Sequence, residues 1–170
     1  MNPLKYAFGV SIGQFLRFMI HERGIEIGQK SFKAIRDAKA PTDKKELQSL
    51  IGKINFIHRF ISSLFEKIQP FSSLLKLETD QEFIWGEEHQ KALDEIKYYF
   101  VNPPVLVPPQ KHKPFKLYLS ADEHAIGSAL IQEFEGKERA IYFVSRKLLD
   151  AEIRYSPVER LCLCLHFFLH

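Results

Sequence analysis

The residues that could do chemistry fall into three groups, and none assembles a full catalytic set. Two-metal phosphoryl transfer needs paired carboxylates, and this sequence has no Asp-Asp pair. Asp122, Glu123 and Glu159 stand among strand and helix signals near the C-terminal end and read as turn and surface residues. The two cysteines form Cys162-x-Cys164, too few for a disulfide framework. Positions i and i+2 of a helix point about 200° apart, so these read as core thiols in a reducing compartment rather than as ligands. The third group is basic. Lys45, Lys53 and Arg59 lie on the polar side of a helical pattern, with Lys39 and Lys44 just before it. Lysine and arginine on one face meet phosphate and add affinity without reading sequence, although the same pattern also describes a solvated helix face. His58 borders the apolar stripe of that helix and reads as a boundary residue.

Charge sharpens the third possibility. The 170 residues carry a net charge of +3. Residues 30–76 hold ten Lys and Arg against four Asp and Glu, and residues 77–100 hold two against seven. The first block, at +6, could face a polyanion; the second, at −5, could not.

The elements that must position these groups are legible from periodicity. Residues 5–27 read as strand, turn and strand, with Phe15 to Ile20 one apolar run and Glu22-Arg23-Gly24 the turn. A short basic helix over 30–39 precedes Pro41-Thr42-Asp43, where Thr42 and Glu46 suggest an imperfect capping pattern. Leu47, Leu50, Ile51, Ile54, Ile57 and Ile61 recur at helical spacing, and a second helix over 63–76 must bend or divide at Pro70. Glu87 to about Phe100 forms a further helix that Asn102-Pro103-Pro104 stops. Strands follow at 115–120, 125–134 and 139–145, with Glu135-Gly136-Lys137 a tight turn, as an antiparallel meander. Pro157 opens a last helix whose core stripe is Leu161, Leu165 and Phe168. No apolar run reaches the roughly 18 residues of a membrane span, and no signal peptide is evident, so an intracellular protein without membrane contact is expected.

Several stretches together resemble the polyproteins of gypsy-class long-terminal-repeat retrotransposons, plant ones in particular. Lys5 to Val10, Phe15-Leu16-Arg17-Phe18-Met19-Ile20 and Arg23-Gly24-Ile25-Glu26 resemble the block that follows the polymerase active site and grips the primer end. Leu47-Gln48-Ser49-Leu50-Ile51-Gly52 with Arg59-Phe60-Ile61 resembles the thumb motif. Phe83-x-Trp85, Gln90-x-Ala92-Leu93 and Pro103-Pro104-Val105-Leu106 resemble the connection. Ala125-Ile126-Gly127-Ser128-Ala129-Leu130, Ile141-Tyr142-Phe143-Val144-Ser145 and Tyr155-Ser156-Pro157-x-Glu159 resemble the start of the RNase H domain.

The resemblance implies an α+β chain: an N-terminal β-hairpin over 1–29, a helical thumb and connection over 30–110, and a truncated RNase H-like β-meander plus helix over 111–170. It implies an RNA–DNA hybrid or duplex as partner, met by Lys44, Lys45, Lys53 and Arg59. It also implies lost catalysis. The family's first RNase H acid falls at Ser120 and its second at Leu161, and the other two lie beyond His170, so the ligands of the family's Mg²⁺ are not retained. Asp122 shares the strand parity of Ser120 but is displaced about 6–7 Å, and Glu159 faces away from Leu161. Arg17 stands where the family commonly has Gly; it either meets a phosphate or marks drift, and drift is the reading taken. An open edge on the first RNase H-like strand invites self-association. An inert relic, a nucleic-acid-binding module, an unconventional nuclease and a recruited interaction domain are the functions these features allow, in that order for the first two.

Overall fold

The structure, a computed structural model, describes residues 9–78, 81–101 and 105–169. The expected strand over Lys5 to Phe8 and the helix stop at Asn102-Pro103-Pro104 lie outside the described residues. The α+β class holds: two three-stranded antiparallel sheets are separated by helices.

The apolar run from Phe15 to Ile20 is not one strand. β1 (Ile12–Phe15) turns directly into β2 (Phe18–His21), and β3 (Gly24–Ile27) completes a meander. Leu16 and Arg17 make the turn with φ of 47° and 69°. That is the two-residue hairpin geometry that Asn, Asp and Gly normally fill. Leu and Arg in those positions hide the turn from sequence, so the expected hairpin is a three-stranded sheet.

Gly28 leads into α1 (Gln29–Arg36), which buries Ile35. Next comes α2 (Lys44–Phe56), burying Leu47, Leu50, Ile51 and Ile54. Its cap sits one residue later than expected. The Asp43 carboxylate accepts from the Glu46 N–H at 2.7 Å, and the Glu46 carboxylate reaches back to the Thr42 N–H and hydroxyl at 2.9 and 3.0 Å. The helix also stops earlier than its apolar spacing suggests. A tighter 3₁₀ turn over His58–Phe60 replaces the last α turn, and Ile57, Phe60 and Ile61 remain buried. His58 is half-buried, as expected, with its Nδ1 2.8 Å from the Asn55 carbonyl. Pro70 divides the following helix into α3 (Leu64–Ile68) and α4 (Ser72–Lys76). With α5 (Glu87–Tyr99) these helices enclose the main core of Leu64, Phe71, Leu93, Ile96 and Phe100.

The second sheet runs β4 (Phe115–Ala121), β5 (Ala125–Phe134) and β6 (Lys137–Lys147), with β5 in the middle. Glu135 and Gly136, at φ 50° and 75°, make the β5–β6 turn. β6 is longer than expected at both ends. One face of this sheet meets α3, where the Phe65 N–H donates to the Ser145 hydroxyl at 3.3 Å. The other carries α6 (Pro157–Leu169) over β4 and β5. A strap over 105–107 joins the sheets: Ile25 and Leu106 exchange backbone hydrogen bonds, and the Val107 N–H donates to the Ala140 carbonyl.

α6 corrects two expectations. Leu161 and Leu165 are each 40% exposed, whereas Cys164 is buried and Arg160, Leu163 and Phe168 are half-buried. Cys162 is exposed, so only one of the cysteines is a core thiol. Apolar residues occupy most sides of this helix, and periodicity alone does not choose among them. Specific contacts do. Arg160 donates to the Asp122 and Ile153 carbonyls at 2.9 Å each, and the Cys164 thiol donates to the Gly127 carbonyl at 3.1 Å.

The β6–α6 connection is pinned by charge. Arg146 makes a bidentate pair with Glu152 at 2.7 and 2.8 Å and stacks over Phe167 at 4.9 Å. The Arg146 guanidinium, with help from the Leu149 N–H, holds the Glu152 carboxyl down to about 2 against an ordinary 4.5. A depressed pKa contributes stability that is complete above about 4.5 and lost as pH falls toward 2. Allowing for partial screening, we expect a loss on the order of 1–2 kcal/mol across that window. Thermal melts between pH 5 and 3 should show it, and Glu152→Gln should flatten the slope; an unchanged slope in that variant would refute the assignment.

Candidate nucleic-acid interface and the acid positions

A stack of side chains ties the first sheet to α2. Phe18 and Phe56 lie parallel, centroids 5.1 Å apart and 3° between planes. Arg17 lies over the Phe56 ring at 5.6 Å, and Arg59 over Phe18 at 5.6 Å. Phe18 also stacks on Phe60, centroids 5.6 Å apart, so the two cations border a cluster of three rings. The turn that carries Arg17 is held by the Gly28 N–H, which donates to the Arg17 carbonyl at 3.0 Å.

Beside the stack opens a cleft of about 480 Å³ between the β1–β2 turn, the start of α1 and the outer face of α2. Arg17, Lys30 and Lys53 line it together with Ser49, Gly52 and Phe56, and no carboxylate does. Gly52 is interior to α2, and nothing lies within 4 Å of the position its Cβ would take. A mid-helix Gly costs roughly 1 kcal/mol relative to Ala, and no neighbour within the chain accounts for the missing side chain.

Of the four basic residues singled out in sequence, Lys53 alone lines this cleft. The Lys44 ammonium donates to the Leu77 carbonyl, and Lys44 lies about 13–14 Å along α2 from Lys53. Lys45 lines a separate hollow with Lys44 and Lys76, and there the carboxylates of Asp43 and Glu78 stand beside them. Arg59 is half-buried behind the aromatic pair, and its Nε is buried with no hydrogen-bond partner among the described residues. Sequence reasoning missed Arg17, Lys30 and Phe56 as members of the cleft, and read Arg17 as drift. Gly52 carried the available signal, a glycine in the middle of a strong helical pattern.

The acid positions are arranged differently. Ser120 on β4 pairs across the sheet with Gly127, and Gly127 with Ser145. This row faces Ser63 and Glu66 across a hollow of about 10 Å³, roughly the space one water centre needs. Asp122 borders the same hollow, but its Oδ1 accepts the His124 and Ala125 N–H groups at 2.6 Å each, closing the β4–β5 turn. Glu159 accepts the Ser156 N–H at 2.7 Å and caps α6. That contact lowers its carboxyl pKa below the usual range. Leu161 belongs to α6, on the opposite face of the sheet from the Ser120 row. Among the described residues no three His, Cys, Asp or Glu side chains are grouped to hold a metal ion, and no helix is long and apolar enough to cross a membrane.

Residues 85–170 match the family profile described as the RNase H-like domain found in reverse transcriptase. The Tf2-3 and Tf2-4 transposon polyproteins of Schizosaccharomyces pombe are each 28% identical over 161 residues, covering 94% of this chain. The chain spans 12% of the length of those polyproteins. A foamy viral protease-reverse transcriptase solved with dsDNA superposes with a TM-score of 0.76 at 25% identity, over 94% of this chain and 33% of that one. The same protein solved with an RNA/DNA hybrid gives 0.77 at 25% identity, over 98% and 22%. The motif resemblance to retrotransposon polyproteins agrees with these relatives.

Proposed function

The chain belongs to the RNase H-like domains found in reverse transcriptase, and from that premise we propose that it binds duplex nucleic acid without copying or cutting it. The observation that carries the binding half is the cleft, where three cations and no acid surround a helical Gly with open space at its Cβ. A helix backbone bared in this way admits close approach by a phosphate–sugar chain, and the flanking cations neutralise the phosphates. The structural neighbours hold dsDNA and an RNA/DNA hybrid, and an RNA–DNA hybrid is the probe of choice. Lys45 lies outside the cleft, beside Asp43 and Glu78, and Arg59 acts through Phe18 rather than on phosphate.

The inert half rests on ligand chemistry. Mg²⁺ demands near-octahedral oxygen ligands, with one or two carboxylates usual. At the family's positions stand a neutral hydroxyl, Ser120, and an alkyl group, Leu161. Asp122 is committed to two backbone N–H groups, and the hollow beside it has no room for a hydrated ion. The residues do not fit the metal. The open edge of β4 adds a second copy of the chain to the partners this reading allows.

Fluorescence anisotropy with a short RNA–DNA hybrid tests the proposal. Three phosphate contacts predict an affinity loss of about 40-fold between 50 and 200 mM salt. No binding by folded protein at low salt, or binding insensitive to salt, would sink it. Hybrid incubated with Mg²⁺ should stay intact, and cleavage would overturn the inert half. Gly52→Ala supplies a sharper check. It should raise stability by roughly 0.5–1 kcal/mol and yet weaken hybrid binding, because a methyl group fills the approach path. Equal affinity in that variant would move the interface elsewhere.

A further inference from the structure

The cleft beside α2 holds more than charge. Three neutral hydrogen-bonding side chains, Gln14, Ser31 and Ser49, line it among the cations. Cations suffice to hold phosphate, so these three call for a separate account. A serine in a helix often bonds back to a carbonyl about one turn earlier. Ser73 does so, its hydroxyl donating to the Pro70 carbonyl at 3.3 Å. Ser31 and Ser49 do not. Among the described residues neither hydroxyl has a hydrogen-bond partner, and the Gln14 amide has none.

Three separate elements bring these groups together. On α2, Ser49, Gly52, Lys53 and Phe56 fall within about 100° of one another. One helix face thus carries a hydroxyl, a bare stretch of backbone, a cation and a ring over about 10 Å of axis. Ser31 stands on α1, next to Lys30. The Gln14 amide nitrogen comes from β1 and lies 3.7 Å from where a Cβ on Gly28 would stand. Each wall of the cleft therefore offers a neutral donor and acceptor beside its cation.

We propose that Ser31 and Ser49 recognise the 2′-hydroxyl of ribose, so that the cleft prefers a duplex with an RNA strand to one of DNA alone. The inference rests on the duplex binding proposed for this cleft. Contacts between cations and phosphate add affinity with little regard to the sugar. The 2′-hydroxyl is the group by which a protein tells RNA from DNA, and it both donates and accepts. A serine hydroxyl does the same, so the two can pair in either direction. A carboxylate would also bind that hydroxyl but would repel the neighbouring phosphates, and the cleft has none.

Access follows from Gly52. An A-form duplex displays its 2′-hydroxyls on a wide, shallow groove, and a helix face without a side chain at its centre can settle on such a surface. With open space at the Gly52 Cβ position, a sugar comes within reach of Ser49 one turn away. Lys53, next in the chain, then meets the adjoining phosphate.

Anisotropy of the whole chain with three labelled duplexes of one sequence tests the proposal. They are an RNA–DNA hybrid, the DNA duplex, and a hybrid whose RNA strand carries 2′-fluorine, which keeps A-form geometry but loses the hydroxyl donor. A net hydrogen bond is worth about fivefold in affinity, so two predict that the hybrid binds about 25-fold tighter than either of the others. Combining Ser31→Ala with Ser49→Ala should bring all three to within about twofold. The salt slope should not change, because no cation is touched. Alanine is the stronger helix former, so this variant keeps its fold, and circular dichroism verifies that. Equal wild-type affinity for hybrid and DNA duplex overturns the proposal and leaves phosphate binding standing. A preference for hybrid that survives both substitutions, or that the 2′-fluoro strand retains, reads helix shape instead of the hydroxyl and overturns it equally. Failure to bind any of the three sinks the duplex-binding reading, and this inference with it.

Discussion

Gly24→Ala should destabilise the chain by more than about 3 kcal/mol, placing it among the exceptional single substitutions. A Cβ at Gly24 would stand 2.1 Å from the Leu106 carbonyl oxygen, 2.9 Å from its carbon and 3.1 Å from the Val107 Cα. All three are backbone atoms, so no rotamer change relieves the clash. The Gly24 φ of 136° is itself strained for any side chain. Relief would require pulling the 105–107 strap away from β3, which breaks both hydrogen bonds between Ile25 and Leu106 and loosens the Val107 N–H from Ala140. The first sheet would then lose its covalently distant anchor, and the buried Leu106 would open to solvent. Gly136 provides the control. It too has a positive φ, 75°, but nothing lies within 4 Å of its Cβ position. Gly136→Asn should cost less than about 1 kcal/mol, because Asn tolerates the left-handed region. Urea unfolding of the two variants measures the difference; equal midpoints would mean that the strap does not hold the sheet.

This contrast also shows what sequence can convey. Arg23-Gly24-Ile25 is visible as a turn, and turn chemistry alone accounts for a glycine there. The reason this one cannot carry a side chain lies 82 residues further on, in a backbone contact that no local pattern encodes. The meander of β4 to β6 was legible because alternation and the Glu135-Gly136 turn are local. So was the division of the helix at Pro70. The Leu16-Arg17 turn was not, because the residues filling it are ones that left-handed backbone normally disfavours. The rotation of α6 was hidden for the opposite reason: too many apolar faces satisfied the helical period, and the choice fell to Arg160 and Cys164, which bond to β-strand and loop carbonyls. The basic residues were legible as a charge excess over 30–76, but not as a site. Spacing put Lys45, Lys53 and Arg59 on one helix, with Lys44 just before it. The chain stops that helix at Phe56 and spends Lys44 on a carbonyl, and the cleft draws Arg17 and Lys30 from elements that precede it.

Reversing charge in that cleft should have the largest effect on binding. Arg17→Glu and Lys53→Glu each remove one phosphate contact and add a repulsion, and we expect each to weaken hybrid binding about tenfold at low salt and the pair about 100-fold or more. The salt dependence should fall in step, from a logarithmic slope near −2.7 for three contacts to near −0.9 for one. Lys44→Glu, at a lysine already occupied by the Leu77 carbonyl, should change affinity far less. Arg17 carries a further test within itself. Its φ of 69° is a left-handed conformation that costs a non-glycine residue of order 1 kcal/mol or more. Strain of that kind persists where something else requires the side chain. Arg17→Gly should therefore stabilise the fold slightly while losing affinity, whereas Arg17→Lys should keep the strain and most of the electrostatic slope. If Arg17→Gly gains stability and binds hybrid as tightly as before, Arg17 is drift after all, and the duplex does not run through the cleft.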